Sequence, residues 1–449
     1  MNAEALARRI CATLRARGHA AYLVGGCVRD LLLGRAPKDY DVATAARPEV
    51  VIELFPRAEL VGAHFGVVHV REEGAQVEVA TFRSDRSYSD GRRPDSVDFE
   101  SGPRADALRR DFTINALLLD PETGGVLDFT GGREDLANGV IRAIGSAQAR
   151  FREDHLRLLR AVRFAARFGF RIDESTAAAI RECRALARDV AAERVRDEIL
   201  RILTEGGARR GFELLDELGL LEETLPEVAA MKGVEQPPEF HPEGDVWIHT
   251  LLMLEGLEAP GATLALGVLL HDVGKPPTFR VAERIRFDGH VEVGARMAVA
   301  ILTRLRCSAD QIRQVESLVA NHLRFKDAPH MRESTLRRFL RLDRFEEHLE
   351  LHRLDCLSSH RRLEAYEMVK AKWASLEVEQ LRPQPLLTGD DLIALGYAPG
   401  PEFGRVLAAL EDAQLESSVE TREDAVALVR ELFRTGDSGT PGTAPLPPS

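Results

Sequence analysis

The segment KDYDVAT sets Asp39 and Asp41 two residues apart in a stretch that reads as a β-strand. Side chains alternate faces along a strand, so both carboxylates point the same way. Two hard oxygen ligands side by side suit Mg²⁺ ions that bridge a triphosphate. An isolated Asp-x-Asp is common and carries little weight. This one sits on the next strand after LVGGCVRDLLLG, a strand, a double glycine and a helix. Gly25 and Gly26 allow a tight turn and close backbone approach to a phosphate, and the following helix offers free N–H groups. Arg29 falls in its first turn. Glu78, on the later strand VEVATF, is either a third carboxylate or a solvated strand residue.

Further along, RRDFTINAL offers Arg109 and Arg110 for phosphates. Asp111 and Asn115, one helical turn apart, suit hydrogen bonds to ribose hydroxyls. A helix start capped by Asp111 is the structural alternative. The run EDHLRLLRAVRF puts Asp154 and Arg157 at i and i+3, with Arg160 a further turn along the same face. Leu156, Leu159, Val162 and Phe164 can pack inward. Taken alone, the charges are either a solvated face or a device for reading something. A second constellation comprises His249, His271, Asp272, His290, His322 and Asp355. An adjacent His and Asp on one helix, with a His before and an Asp far after, could form a divalent-metal cage. Single histidines are more often core or surface residues than ligands.

These residues need a frame. Residues 20–145 alternate short strands (AAYLVGG, DYDVAT, FGVVHV, VEVATF) with helices (CVRDLLLG, RPEVVIELF), which predicts a small α/β unit around a sheet. SDRSYSDGRRPDS, residues 84–96, is polar, long for a hairpin, and reads as a mobile loop. From about 146 to 435 the pattern is almost entirely helical. The tail from 436 to 449 is rich in Gly, Pro and Ser and is expected to be disordered.

Bulk properties set limits. The first twenty residues read as an amphipathic helix without the apolar core of a secretory signal, and no run approaches membrane-spanning length. The five cysteines (Cys11, Cys27, Cys183, Cys307, Cys356) are scattered and form no CxxC pair, which points to free thiols in a reducing cytoplasm. Net charge is −12, which taken alone argues against nucleic-acid binding. Local patches matter more in a large chain. Residues 150–171 hold seven arginines against two acids, and arginine suits flat, bidentate recognition of phosphates and base edges.

In order and spacing, GGCVRDLLLGRAPKDYDVAT, VEVATFRSDRSYSDGRRPDSVDF, RRDFTINALLLD and EDHLRLLRAVRFAARFGF resemble the successive motifs of class II tRNA nucleotidyltransferases and bacterial poly(A) polymerases. ERVRDEIL (Glu193, Arg194, Glu198) resembles the family's ERxxxE element. The resemblance covers about residues 20–230. It implies an α+β fold: a polymerase-β-like head over 1–145, then an elongated all-α body. That body comprises a nucleotide-selecting, RNA-binding neck (146–231), a metal-binding domain (240–360) and a tRNA-binding helical domain (361–435). It also implies catalysis by Asp39 and Asp41 with Mg²⁺, and nucleotide binding by Gly25, Gly26, Arg29, Arg110, Asp111, Asn115, Asp154, Arg157 and Arg160. Arg163 and Arg194 become candidate RNA contacts, with a solvated face as the alternative for Arg163 and Arg167.

The same resemblance makes EDHLRLLRAVRF the nucleotide selector, and the chemistry of its residues agrees. Asp154 only accepts and Arg157 only donates. Cytosine and adenine each present an amino donor beside a ring-nitrogen acceptor. Guanine and uracil would set a carbonyl against Asp154. Glu153 is read as orienting Arg157. The order of the second constellation resembles the HD phosphohydrolase superfamily. That implies His249, His271, Asp272 and Asp355 as ligands of Mg²⁺, Mn²⁺, Ni²⁺ or Co²⁺. His290 and His322 then hold a second metal or phosphate, and Lys275 meets a phosphate. The implied activity is addition of C, C and A from CTP and ATP to the tRNA 3′ end, with a phosphohydrolase alongside. The 84–96 loop argues against a CC-only enzyme. Alternatives are an A-adding enzyme, a poly(A) polymerase, or chiefly an HD phosphohydrolase with an RNA-binding front half.

Overall fold

The computed structural model describes residues 1–436 except 62–65, 87, 89, 93, 100–101 and 240. The chain divides into two compact units, Met1–Val315 and a second beginning at Glu316. The division falls inside the 240–360 segment. The C-terminal stretch expected to be disordered lies outside the described residues from 437 onward. Among the described residues, no helix is long and apolar enough to cross a membrane.

The first unit opens with helix α1 (Ala3–Ala16), capped by Asn2, whose side chain accepts from the Ala5 N–H at 2.8 Å. Its apolar positions Leu6, Ala7, Ile10, Cys11 and Leu14 recur at helical spacing and are buried. Next come β1 (Ala21–Val24), α2 (Gly26–Leu32), β2 (Asp41–Thr44) and α3 (Pro48–Leu54). They are followed by β3 (Ala58–Leu60), β4 (Val67–Glu72) and β5 (Ala75–Thr81). After α4 (Pro103–Leu108), two short strands complete the sheet, Leu118–Leu119 and Val126–Leu127. The order across the sheet is β3, β4, β5, β2, β1, then those two. Only β2 and β5 pair in parallel; the remaining pairs are antiparallel. The small unit around a sheet expected from the alternating pattern is therefore present, with the α+β character that the resemblance implies. β5 alternates buried and exposed residues along its length, with Val77, Val79 and Thr81 inward.

The loop at 84–96 is tied at its ends. Ser84–Arg86 pairs with Ser96–Asp98 as antiparallel strands, and residues 87, 89 and 93 between them lie outside the described set. Its Gly91 carbonyl accepts from the His155 N–H at 3.1 Å.

The neck corrects the reading of EDHLRLLRAVRF as one helix. A helix Ala147–Glu153 ends at Asp154, which is extended (φ −140°, ψ 104°), and a new helix, Arg157–Phe168, starts after a turn. Asp154 thus lies in the break between two helices, and Arg157 opens the second of them. The second helix is buried on nearly all sides: Leu158, Leu159, Val162, Ala165 and even Arg157 and Arg163 are buried. It stops at Gly169 (φ +70°), whose left-handed backbone lets the Phe170 N–H reach the Ala165 carbonyl at 3.0 Å. Helices through Ala229 complete the neck, and Val246–Glu255 and Ala262–Leu270, almost wholly apolar, form the core beyond it.

The second unit is helical throughout its named elements. One core gathers Phe325, Phe339, Phe345 and Val369. Another gathers Leu387, Leu392, Val406, Leu410 and Val429. LLTGDDLIAL starts a helix at Gly389 through a capping box in which Thr388 and Asp391 satisfy each other's backbone N–H groups.

Candidate active site

Gly25 (φ +72°) turns the chain from β1 into α2. A Cβ there would sit 3.0 Å from Arg110 Nη1, so the glycine also makes room for a phosphate-sized site beneath an arginine. Asp41 opens β2, and Asp39 lies just before the strand and is exposed. Asp41 stands in register with Glu78 of the parallel neighbour β5. Register partners present their side chains to the same face, so Glu78, exposed and 3.6 Å from His69, lies on the side of the sheet that carries Asp41. Burial pushes the Asp41 carboxyl up to about 6. Glu78 and Asp39 push the same way against Arg110. Three carboxylates crowded so that one resists ionisation fit a divalent cation, which would relieve that repulsion.

The sign of the Asp41 shift gives a test. Its folded-state value is raised above 3.8 to about 6, so without metal the stability it contributes is full below pH 4 and lost as pH rises through 6. That gap corresponds to roughly 3 kcal/mol at most. Melts in EDTA from pH 4 to 7 should show the wild type losing stability and Asp41→Asn keeping it. Parallel curves for the two proteins would remove the crowding argument.

Beside the carboxylates is a cleft of about 410 Å³ lined by Gly25, Gly26, Asp41, Asp111, Asn115 and Asp154, and by seven arginines: Arg29, Arg109, Arg110, Arg157, Arg160, Arg163 and Arg167. A chain with net charge −12 thus concentrates positive charge where a triphosphate would lie. The arginines are held in place. Asp106, fully buried, takes Arg109 at 2.6 Å and Arg110 at 3.0 Å. Arg29 donates to Asn115 Oδ1 at 2.6 Å and to Asp30 at 2.8 Å, and stacks over Phe168.

Asp111 is not a helix cap. The turn Thr113–Asn115 is a 3₁₀ segment capped by Phe112. Asp111 instead accepts from Asn115 Nδ2 at 3.1 Å and Arg160 Nε at 2.8 Å. Burial pushes the Asp111 carboxyl up, but Arg160, Asn115 and Arg157 outweigh it and hold the group down at about 2.

Asp154 and Arg157 both line the cleft. Asp154 receives two hydrogen bonds from Arg194, 3.0 Å to each oxygen. Arg157 donates to Glu153 at 2.7 Å and to the carbonyls of Arg150 and Arg109. Glu153 therefore orients Arg157, as its position suggested. The solvated face considered for Arg163 does not exist: its side chain is 5% exposed and pairs with the buried Glu198 at 2.6 Å. Arg167 is half-buried between Glu205 and Asp30.

Four residues of the second constellation meet in the first unit. His249 and His271 have ring centroids 5.3 Å apart. Asp272 lies 3.1 Å from His271 Nε2 and 3.9 Å from His290 Nε2, and Lys275 Nζ is 2.6 Å from it. His322 and Asp355 belong to the second unit, in the segments His322–His330 and Phe345–Ser358. His271, His290 and His322 each bond through Nδ1 to the carbonyl three residues earlier, at 2.8, 2.8 and 2.7 Å. That contact favours the tautomer with the proton on Nδ1 and the lone pair on Nε2 in all three.

Three family models match the chain: the Poly A polymerase head domain over residues 21–142, the "Probable RNA and SrmB- binding site of polymerase A" over 169–232, and tRNA nucleotidyltransferase domain 2 over 290–429. The CC-adding tRNA nucleotidyltransferase of Thermus thermophilus is 36% identical over 443 residues, 94% of this chain and 96% of that one. The chain belongs to the tRNA nucleotidyltransferase family. The CCA-adding enzyme of Geobacillus sp. strain WCH70 is 44% identical over 211 residues, 47% of this chain. The chain spans about half the length of such CCA-adding relatives, 52% in that case. The crystal structure of the Bacillus stearothermophilus CCA-adding enzyme in complex with CTP superposes with a TM-score of 0.75 at 28% identity, covering 97% of this chain and 98% of that one.

Within this tRNA nucleotidyltransferase framework, sequence reasoning missed Asp106 and undervalued Arg194. ADALRR carries the signal for Asp106, an acid at i−3 and i−4 from two arginines. Arg194 reaches Asp154 across forty residues, and no local pattern could reveal that contact.

Proposed function

We propose that the chain adds C, C and A to the 3′ end of tRNA, using CTP and ATP. The observation that carries this reading is the meeting in one cleft of Asp41 with Asp154 and Arg157. Asp39, Asp41 and Glu78 would hold Mg²⁺, which when bound neutralises triphosphate charge and lowers the pKa of the attacking hydroxyl. Arg29, Arg109 and Arg110 would bind the phosphates, and Asp111 and Asn115 the ribose. The tRNA 3′-oxygen forms a bond to the α-phosphorus, the bond to the β-bridging oxygen breaks, and pyrophosphate leaves. Asp154 and Arg157 serve as the template, so no nucleic-acid template is needed. The five free cysteines, four of them buried, suit a reducing cytoplasm.

The CCA-adding relatives favour addition of all three nucleotides, and the CC-adding Thermus relative sets the competing outcome. The test is tRNA ending at the discriminator base, at C or at CC, incubated with single nucleotides and then with both. Extension through the terminal A supports the proposal. Arrest at CC makes the chain a CC-adding enzyme, A addition only to CC ends makes it A-adding, and long A tracts make it a poly(A) polymerase.

A second reading rests on the grouping of His249, His271, Asp272 and His290. We infer a metal-dependent phosphohydrolase site with Mg²⁺, Mn²⁺, Ni²⁺ or Co²⁺, to which the HD resemblance assigns Asp355 and His322 as well. His271→Ala with Asp272→Ala should remove hydrolysis of 2′,3′-cyclic and terminal phosphates, at least about 100-fold, and leave nucleotide addition within twofold. A wild type that hydrolyses none of these substrates with any of the four metals would make the domain structural.

A further inference from the structure

One histidine of the metal constellation is oriented differently from the rest. His271, His290 and His322 each use a backbone carbonyl of their own segment to fix Nδ1. His249, fully buried in the helix Val246–Glu255, has its Nδ1 2.7 Å from Glu243 Oε1. The same carboxylate oxygen is hydrogen-bonded to His241 Nδ1 at 2.8 Å. A ring nitrogen and a carboxylate oxygen so close must share a proton, because two facing lone pairs would repel. Metal ligands around one ion stand farther apart than this, at about 3 Å or more for bonds near 2.1 Å. The spacing therefore fits a carboxylate holding two imidazoles better than three ligands on one ion.

Glu243 lies in a closed loop. Glu235 and Asp245 form an antiparallel bridge across its base. The Gln236 N–H reaches the Gly244 carbonyl at 3.0 Å, and the Val246 N–H reaches that of Val234 at 3.0 Å. Asp245 caps the following helix by accepting from the Ile248 N–H at 2.7 Å and also accepts from the Gly233 N–H at 2.7 Å. Gly244 (φ +107°) supplies a backbone turn that a side chain would oppose. The loop makes a second contact with the metal constellation. Gln236, 2% exposed, accepts from Lys275 Nζ at 2.6 Å. The same ammonium is 2.6 Å from Asp272 Oδ2.

We propose that Gln236 and Glu243 form a clamp that orients the metal ligands: Glu243 fixes the proton of His249 on Nδ1 and so leaves Nε2 to ligate, while Gln236 steadies Lys275 against Asp272. Glu243 and Gln236 are positioning residues, since they act on the ligands and not on the ion. Carboxylate partners of metal-bound histidines fix the tautomer and raise ligand basicity, and their loss typically costs 10–100-fold in metal affinity. The inference rests on the metal reading of His249, His271 and Asp272.

The test is Co²⁺ titration of the full chain, followed by visible absorption, which reports imidazole ligation that the carboxylates of the head do not mimic. Four variants are compared with wild type: Glu243→Ala, Glu243→Met (similar length, no acceptor), Glu243→Gln (acceptor retained) and His271→Ala with Asp272→Ala. The expected result is a Co²⁺ spectrum that the double variant loses. Affinity should fall about 10–100-fold in Glu243→Met and Glu243→Ala and recover most of the way in Glu243→Gln. CTP and ATP incorporation on tRNA should be unchanged in all three Glu243 variants. Should Glu243→Ala fail to fold, the Met and Gln pair still decides the matter. Met and Gln variants of equal affinity, or a Met variant within twofold of wild type, would overturn the clamp while the metal reading stands. A wild type whose Co²⁺ spectrum matches that of the double variant would overturn both.

Discussion

Asp39→Ala or Asp41→Ala should abolish nucleotide addition, by at least about 1,000-fold, while tRNA affinity stays within about twofold. Metal-assisted charge stabilisation in phosphoryl transfer is worth several kcal/mol, and each 1.36 kcal/mol is tenfold in rate. The structure makes this an unusually clean removal. Asp39 is exposed at the edge of β2, so its truncation leaves no cavity. Asp41 is held in an unfavourable ionised state by burial and by Glu78, so replacing it should not destabilise the fold and in EDTA near neutral pH should stabilise it. Loss of activity with a retained or raised melting temperature would separate a chemical role from a structural one. The measurement is CTP incorporation in Mg²⁺ on tRNA lacking CCA, with tRNA binding followed in parallel. More than a tenth of wild-type activity in either variant would exclude these carboxylates as the metal site.

The head was legible because its signals are local. Glycine before a helix and alternation along β5 each follow from backbone geometry, whereas Asp39, read as sharing a strand with Asp41, falls just before β2. What the sequence concealed depends on contacts between distant segments. Glu78 could be judged only once β5 was known to lie beside β2 in parallel register. Arg163 read as one of many arginines on a charged helix, and its burial against Glu198 depends on a helix thirty residues later. The break at Asp154 was hidden for a different reason. EDHLRL contains neither Gly nor Pro, and its apolar spacing suits a continuous helix. The interruption is stabilised from outside, by Arg194 on the Asp154 carboxylate and by the Gly91 carbonyl on the His155 N–H. Tertiary contacts override propensity here.

Asp154→Ala should lose selectivity between nucleotides more than it loses nucleotide binding. Arg194 occupies one acceptor position on each Asp154 oxygen, and the Leu156 N–H takes a second on Oδ1 at 3.2 Å. A carboxylate has about four such positions, so capacity remains for the amino group of cytosine or adenine, and the bidentate grip fixes where that capacity points. Truncation removes the acceptor and with it the repulsion that a uracil or guanine carbonyl would meet there. A site built to hydrogen-bond a substrate group discriminates by about 10⁴ or more, so incorporation of UTP and GTP relative to CTP should rise by at least about tenfold to a hundredfold. The triphosphate would still be held by Arg29, Arg109 and Arg110. Arg157→Ala should behave differently. Its guanidinium has five N–H groups and spends three on Glu153 and on the Arg150 and Arg109 carbonyls. The rest are available to the ring nitrogen of C and A. Losing them should slow both nucleotides without admitting G or U, because Asp154 still repels their carbonyls. Arg194→Ala should fall between the two, since the acceptor survives but is held only by the Leu156 N–H. The measurement is single-nucleotide incorporation of all four triphosphates on tRNA ending in C. An Asp154→Ala variant that rejects UTP and GTP as strictly as wild type would show that the residue is only an ion-pair partner of Arg194, and that nucleotide choice is made elsewhere in the cleft.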